Sequence, residues 1–380
     1  MKFNKWTLGL AAVGLVGLNS AALADDAAPS TVLTALSSTT LSGYVDTSMQ
    51  WNLGTGNANT PPYSFGGSSK ADGFNLNVVQ LSLDKPLDES EWAAGYHVDL
   101  WLGPDANALG TVSSGGASDF AIRQAYVTLR TPVGNGLDWK IGVFDTIVGY
   151  ESLASVNNPN YTHSYGFTIE PTTHTGILAS YKITDLVNVS AGIANTVGPV
   201  INNRAFPSST PSSGTQAESY KTYMAAVALT APQDWGWVGG STLSAGFVNG
   251  FNDFLGADSA NYYVGATVNT PLSALKVGVA YDLLDVHKVG GDAWDVAAYA
   301  TFQATEKLSF SGRGEYLDVV GGGAHIIEFT GTAQYDLWKN VITRAEFRWD
   351  HGDNGRFFGG TGAPDRKNAY LLAAQVIYKF

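Results

Sequence analysis

Two glutamates and two histidines fall within one polar, aromatic-rich block at residues 145–176, DTIVGYESLASVNNPNYTHSYGFTIEPTTHTG: Glu151, His163, Glu170 and His174. Imidazole and carboxylate are ligand types that zinc takes, and Ser164, His163 and Glu170 have the composition of a hydrolase triad. The spacing, however, matches no recognised zinc pattern, and nothing in it makes the groups converge. No metal, cofactor or catalytic residue is therefore expected. The block can still present polar groups to water, and these four residues are candidates to line a narrow aperture, where neutral histidines would make conduction pH-sensitive. Asn157, Asn158, Pro159 and Asn160 supply a turn, while Tyr161, Tyr165 and Phe167 need a wall to pack on.

A second set of charges shows a strict period of two. Arg344, Glu346, Arg348 and Asp350 follow one another on alternate positions, as do Arg313 and Glu315. Alternate residues of a strand share a face, so each set projects to one side. Lys140, Lys221, Lys276 and Asp282 can project the same way. On the strand at 92–102, burying His97 and Asp99 in a dry core would cost several kcal/mol unless they were fully paired, and a water-filled lumen removes that cost. Opposed charges across water would set up a transverse field that tunes passage of charged solutes. The plainer alternative is local pairing that holds the wall together, and both readings place the charges inside.

The elements that must position these groups are strands. Alternation of apolar and polar residues predicts strands at 41–51, 73–84, 92–102, 119–131, 137–146, 172–182, 186–196, 219–230, 240–250, 260–269, 275–284, 293–304, 308–317, 325–336, 341–350 and 368–380, with a bulge near Val78 and Val79. Compact links such as 183–185, 270–274 and 305–307 contrast with long ones at 197–218 and 351–367. Short and long connections are what an up-and-down membrane barrel requires, and an even count returns both ends to one rim. The expected fold is all-β: a closed antiparallel transmembrane β-barrel of sixteen strands, its last strand paired with 41–51, with residues 147–171 folded inward as a constriction loop. Trp294, Tyr316, Trp338, Trp349, Tyr378 and Phe380 fall near strand ends, where aromatic rings form girdles.

Residues 1–24 read as a secretory leader, with Lys2 and Lys5 before an apolar run and Ala22 and Ala24 at the cleavage spacing. A short arm, 25–40, precedes a single barrel domain at 41–380. The formal net charge of -12 argues against nucleic acid as a partner. The absence of cysteine excludes disulfides and thiolate metal sites.

The strand GYVDTSMQW, the run IRQAYVTL, the block GYESLASVNNPNYTHSYGFTIEPTTHTG followed by LASY, and the alternation through Phe380 together resemble the Putative beta-barrel porin-2, OmpL-like family over essentially the whole mature chain. The resemblance implies an outer-membrane porin of a Gram-negative-type cell, surrounded by outer-membrane lipids and passing small hydrophilic solutes or ions by passive diffusion. It implies no catalytic residue. The loop also looks like the constriction loop of sixteen-stranded general porins, which brings a homotrimer into view beside a monomer. Two other classes stay open: a closed structural or adhesion barrel, and an outer-membrane hydrolase. Ion preference and solute identity stay open as well.

Overall fold

Alternation is realised as strands because a residue pair facing opposite sides can satisfy lipid and interior at once, while every backbone group is paired across the sheet. The computed structural model describes residues 39–54, 56–113, 118–206, 219–252, 255–287 and 291–380. The expected leader and nearly all of the arm lie outside the described residues, and Thr40 already belongs to the first strand. The strands are β1 (Thr40–Asn52), β2 (Gly73–Lys85), β3 (Ala93–Leu102), β4 (Phe120–Thr131), β5 (Leu137–Asp145), β6 (Thr173–Lys182), β7 (Val187–Ala194) and β8 (Thr222–Thr230). They continue with β9 (Thr242–Asn252), β10 (Ala257–Asn269), β11 (Leu275–Val286), β12 (Ala293–Gln303), β13 (Leu308–Val319), β14 (Ala324–Trp338), β15 (Val341–Gly352) and β16 (Asn368–Lys379). Each pairs with its sequence neighbours, and β1 pairs antiparallel with β16, so the sheet closes into a sixteen-stranded barrel.

Closure runs in register from Tyr44 opposite Lys379 to Asn52 opposite Leu371. It is completed at the rim by reciprocal bonds of 3.0 Å between the Gly43 and Phe380 backbones. The expected bulge sits one residue away from its predicted place. Asp46 faces Val78 and Thr47 faces Leu76, which leaves Asn77 as the extra residue. A bulge breaks the alternation, and here it turns both Asn77 and Val78 to the interior, where each is 1% exposed.

The outer wall is apolar. Val264, Val279, Phe329 and Leu372 are exposed there, and an exposed apolar belt of this extent needs lipid around it. Tyr281, Trp294 and Tyr316 form a row of neighbouring rings near one rim, while Trp338 and Tyr378 stand exposed near the other. On the rim of the turns all connections are compact. On the far rim the segments 53–72, 103–119, 146–172, 195–221 and 353–367 are long, whereas 253–256, 287–292 and 320–323 are short. The long connections thus gather over one arc of the barrel. A short helix, α1 (Pro104–Leu109), and a second, α2 (Tyr165–Ile169), lie in the long segments.

Candidate functional site

Residues 147–171 leave the end of β5 and return to β6 through a neck closed by Thr146 N–H donating to the Thr172 carbonyl at 2.9 Å. Between these points the segment hangs inside the barrel, and its depth can be read along the inward face of β15. Asp350 accepts from the Tyr165 hydroxyl at 2.7 Å, and Arg348 donates to the His163 carbonyl at 2.7 Å. Glu346 accepts from the backbone N–H groups of Tyr161 and Thr162 at 2.6 and 2.9 Å, and Arg344 donates to the Ser155 carbonyl at 3.0 Å. Asp350 to Arg344 spans six residue steps, roughly 20 Å at about 3.3 Å each. The segment therefore descends through much of the membrane-spanning height.

Arg313 on β13 is the densest anchor. Its guanidinium donates to Glu151 at 3.0 Å, to the carbonyls of Thr162 and His163 at 2.7 and 3.2 Å, and to Glu328 at 3.2 Å. Glu315 accepts from the Tyr165 N–H at 2.7 Å, and Thr332 lies 2.6 Å from the Asn160 side-chain amide. Arg348 is sandwiched by aromatic faces, 4.2 Å from the Tyr63 ring centre and 4.9 Å from that of Tyr165. Unpaired charges would be strongly disfavoured at such burial. Here guanidinium, carboxylate and loop backbone bond to one another, with only Glu315 Oε1 of this set lacking a hydrogen-bond partner and lying 3.5 Å from Arg313 Nε, so the wall charges act as a clamp.

The adjoining wall, from β12 round to β6, holds the segment by packing. Tyr150 stacks on Tyr299 at 4.1 Å between ring centres, and its hydroxyl accepts from Thr267 at 3.2 Å. Gly278 admits this ring, since a Cβ there would stand 1.9 Å from the Tyr150 hydroxyl. Ile147 and Val148 join Leu178, Met224 and Val248 in a buried apolar cluster. Toward β1, the Ser155 hydroxyl donates to Asp46 and the Tyr161 hydroxyl lies 3.0 Å from Ser48. The cavity on that side, lined by Tyr44, Asp46, Trp101 and Asp105 among others, has about 20 Å³, room for about one water.

The predicted aperture residues occupy three separate settings. Glu151 and His163 form a pair, 2.9 Å apart at His163 Nδ1, with Glu151 also accepting from the Ser164 N–H and the Tyr299 hydroxyl. Burial works to raise the Glu151 pKa, but Arg313 and His163 overcome it and hold the carboxyl down at about 2. The His163 ring stacks on Phe167 at 4.0 Å. Glu170 instead meets Asp282, and burial together with that neighbour holds it well above the usual carboxylate range. His174 belongs to β6, is 1% exposed, and places Nε2 3.1 Å from the Thr146 hydroxyl.

Ser164 is engaged as the N-cap of α2, accepting from the Phe167 N–H at 3.0 Å, so Ser164, His163 and Glu170 are not arranged as a triad. Among the described residues, no group of three or more His, Asp and Glu side chains is placed to hold a metal ion. All six predicted wall charges, Arg313, Glu315, Arg344, Glu346, Arg348 and Asp350, point inward and are buried.

Sequence reasoning missed Glu328, Thr330, Tyr63 and Tyr299 as members of this cluster. Glu328, Thr330 and Thr332 share a strand face, so their alternation was a usable signal. Tyr63 comes from an aperiodic Gly- and Pro-containing loop and offered none.

The sequence model of the family described as Putative beta-barrel porin-2, OmpL-like matches residues 38–380. Among solved structures, the Salmonella typhi OmpF complex with daunomycin superposes with a TM-score of 0.58 at 14% identity, covering 90% of this chain and 97% of that one. The anion-selective porin from Comamonas acidovorans gives 0.57 at 13% identity, covering 90% and 99%. The outer membrane channel DcaP of Acinetobacter baumannii gives 0.57 at 12%, covering 90% and 97%. At these identities the similarity is one of fold. An O-glucosyltransferase rumi homolog of Anopheles gambiae is 33% identical over 76 residues, which cover 18% of this chain. The chain spans 19% of the length of that curated relative.

Proposed function

The chain belongs to the Putative beta-barrel porin-2, OmpL-like family, and from that membership we propose that residues 147–171 set the aperture through which small hydrophilic solutes or ions diffuse passively across the outer membrane. The single observation that carries this reading is the segment's position: it is suspended inside a closed barrel and fastened to the wall by Arg313, Arg344, Glu346 and Arg348. The outer apolar belt suits contact with outer-membrane lipid, and no chemical step is involved. The wall charges act on passage mainly through the loop they hold. Glu151, His163 and Glu170 set its docked shape, and His174 supports its neck. Residues 1–24 serve as the export signal, and a homotrimer is compatible with the barrel.

Purified folded protein in a planar bilayer should give discrete but small conductance steps, because the docked segment narrows the interior. Deleting 151–167 should enlarge them. Reversal potential under a salt gradient then reports ion preference. Absence of steps over a wide range of salt and voltage, in both the native chain and the deletion, would refute the porin reading. The tightness of the packing favours one second reading, a closed structural or adhesion barrel. That reading predicts no steps in the native chain, and conductance only after 151–167 is removed.

A further inference from the structure

Where α2 crosses the inner face of β11 and β12, three carboxyls meet without a committed cation. Asp282 and Asp295 stand directly opposite each other in the β11–β12 register, and both point inward at 3% and 0% exposure. Asp282 Oδ1 and both oxygens of Asp295 have no hydrogen-bond partner among the described residues. The third carboxyl, Glu170, follows α2 and contacts Asp282. The helix backbone lies against the pair, since a Cβ on Gly166 would be 2.7 Å from Asp282 Oδ2 and 3.1 Å from Asp295 Oδ2.

The charged and titratable groups facing this cluster are Glu151 from the loop, Tyr263 from β10, Arg313 and Glu315 from β13, and Glu328 from β14. Arg313 is the sole cation of that set, and its contacts are with Glu151, Glu315 and Glu328.

We propose that Glu170, Asp282 and Asp295 form a proton-held latch, which keeps residues 147–171 docked while protons remain on the cluster and lets them swing free when the protons leave. Like carboxylates in one buried site cannot all ionise cheaply, whereas a protonated carboxyl can donate to its neighbour. The remaining attachments are guanidinium, hydroxyl, backbone and apolar contacts, and replacing the three carboxyls by amides isolates the pH dependence that this cluster supplies. The sign follows from Glu170. Its pKa in the docked state lies above the ordinary carboxylate value, so the docking stability it contributes is complete below that value and declines as pH rises through the raised one. Undocking is thus favoured on the alkaline side. The inference rests on the porin reading only in holding that an undocked segment widens the path.

The chain contains no cysteine, so Ala154→Cys, at a loop position only 2% exposed, provides a single reporter thiol. Full-length folded protein in detergent is labelled with a water-soluble maleimide between pH 6 and 9, once with the native cluster and once with Glu170→Gln, Asp282→Asn and Asp295→Asn together. Comparing the two cancels the ionisation of the thiol itself. The native cluster should label faster by up to about tenfold per pH unit for each coupled proton, and the amide variant should lose that excess. Glu170→Gln alone serves if the triple variant does not fold.

Superimposable pH profiles would overturn the latch. Single-channel recordings separate the two readings. Conductance steps whose open fraction rises with pH in the native chain but not in the amide variant support the latch. Steps indifferent to pH in both overturn it while leaving the porin reading intact. A labelling excess with no steps at any pH upholds the latch and removes the porin reading.

Discussion

Replacing Arg313 with alanine takes away one buried guanidinium and strands several partners at once. Its side chain is fully buried, and the substitution would leave Glu151, Glu315 and Glu328 without their principal cation and the Thr162 carbonyl without its donor, while the His163 carbonyl keeps only Arg348. Breaking a buried charge pair by removing one partner costs about 3–5 kcal/mol. At about 1.4 kcal/mol per factor of ten, docking of 147–171 should weaken by roughly a hundredfold to a few thousandfold. The ladder joining β13 to β12 and β14 is made by backbone groups that the substitution leaves in place, so the barrel should persist while the loop loosens.

The assay is maleimide labelling of Ala154→Cys at fixed pH, paired with single-channel recording. Arg313→Ala should label faster by a factor of that order and show larger or noisier steps. A second comparison isolates the cause. With 151–167 deleted, Arg313 faces water, where a charge pair is worth about 0–1 kcal/mol, and the substitution should then have little effect on thermal stability. An equal stability loss in both backgrounds, with labelling unchanged, would refute the clamp and make Arg313 a support of the wall alone.

Glu346→Gln retains shape but weakens acceptance from the Tyr161 and Thr162 N–H groups and the Thr332 hydroxyl. Loop docking should fall by about 1.5–3 kcal/mol, the worth of a hydrogen bond to a charged group, as read by the same thiol reporter. Gly43→Val places a Cβ 2.2 Å from the Gln80 carbonyl oxygen and 2.7 Å from the Phe380 ring. It should reduce the yield of closed barrel, measured as the heat-modifiable band on a gel. Glu151, held down to about 2 by Arg313 and His163 against burial, contributes docking stability that is present above its ordinary value of 4.5 and lost as pH falls toward 2. An acid-induced loss of thermal stability in that window should be smaller in Glu151→Gln.

The clamp was half legible before any coordinates. Arg344, Glu346, Arg348 and Asp350 share one parity, and parity alone assigns them to the interior, because a strand permits only two directions. The same rule separated Val279 from Asp282 and Tyr378 from Ile377. It failed locally at Asn77 and Val78, where the bulge puts neighbours on one side. In the loop there is no period to use. Glu151, His163, Glu170 and His174 look like one polar cluster along the chain, yet the fold divides them into a His163–Glu151 pair, a Glu170–Asp282 contact and a separate His174 in the wall.

Alternation and an even strand count determined that this chain is a closed transmembrane barrel with a polar interior. These properties are local or depend on counting, and each is repeated in many strands, so single errors do not alter the outcome. Tertiary structure decided what the interior does with its charges. Residues 150 to 200 positions apart, such as Tyr165 with Asp350 and Thr162 with Glu346, meet only once the sheet has closed and the loop has dropped between its walls. Desolvation then converts an expected wet row of charges into the clamp that holds the loop, because a buried guanidinium must find its partners within the protein.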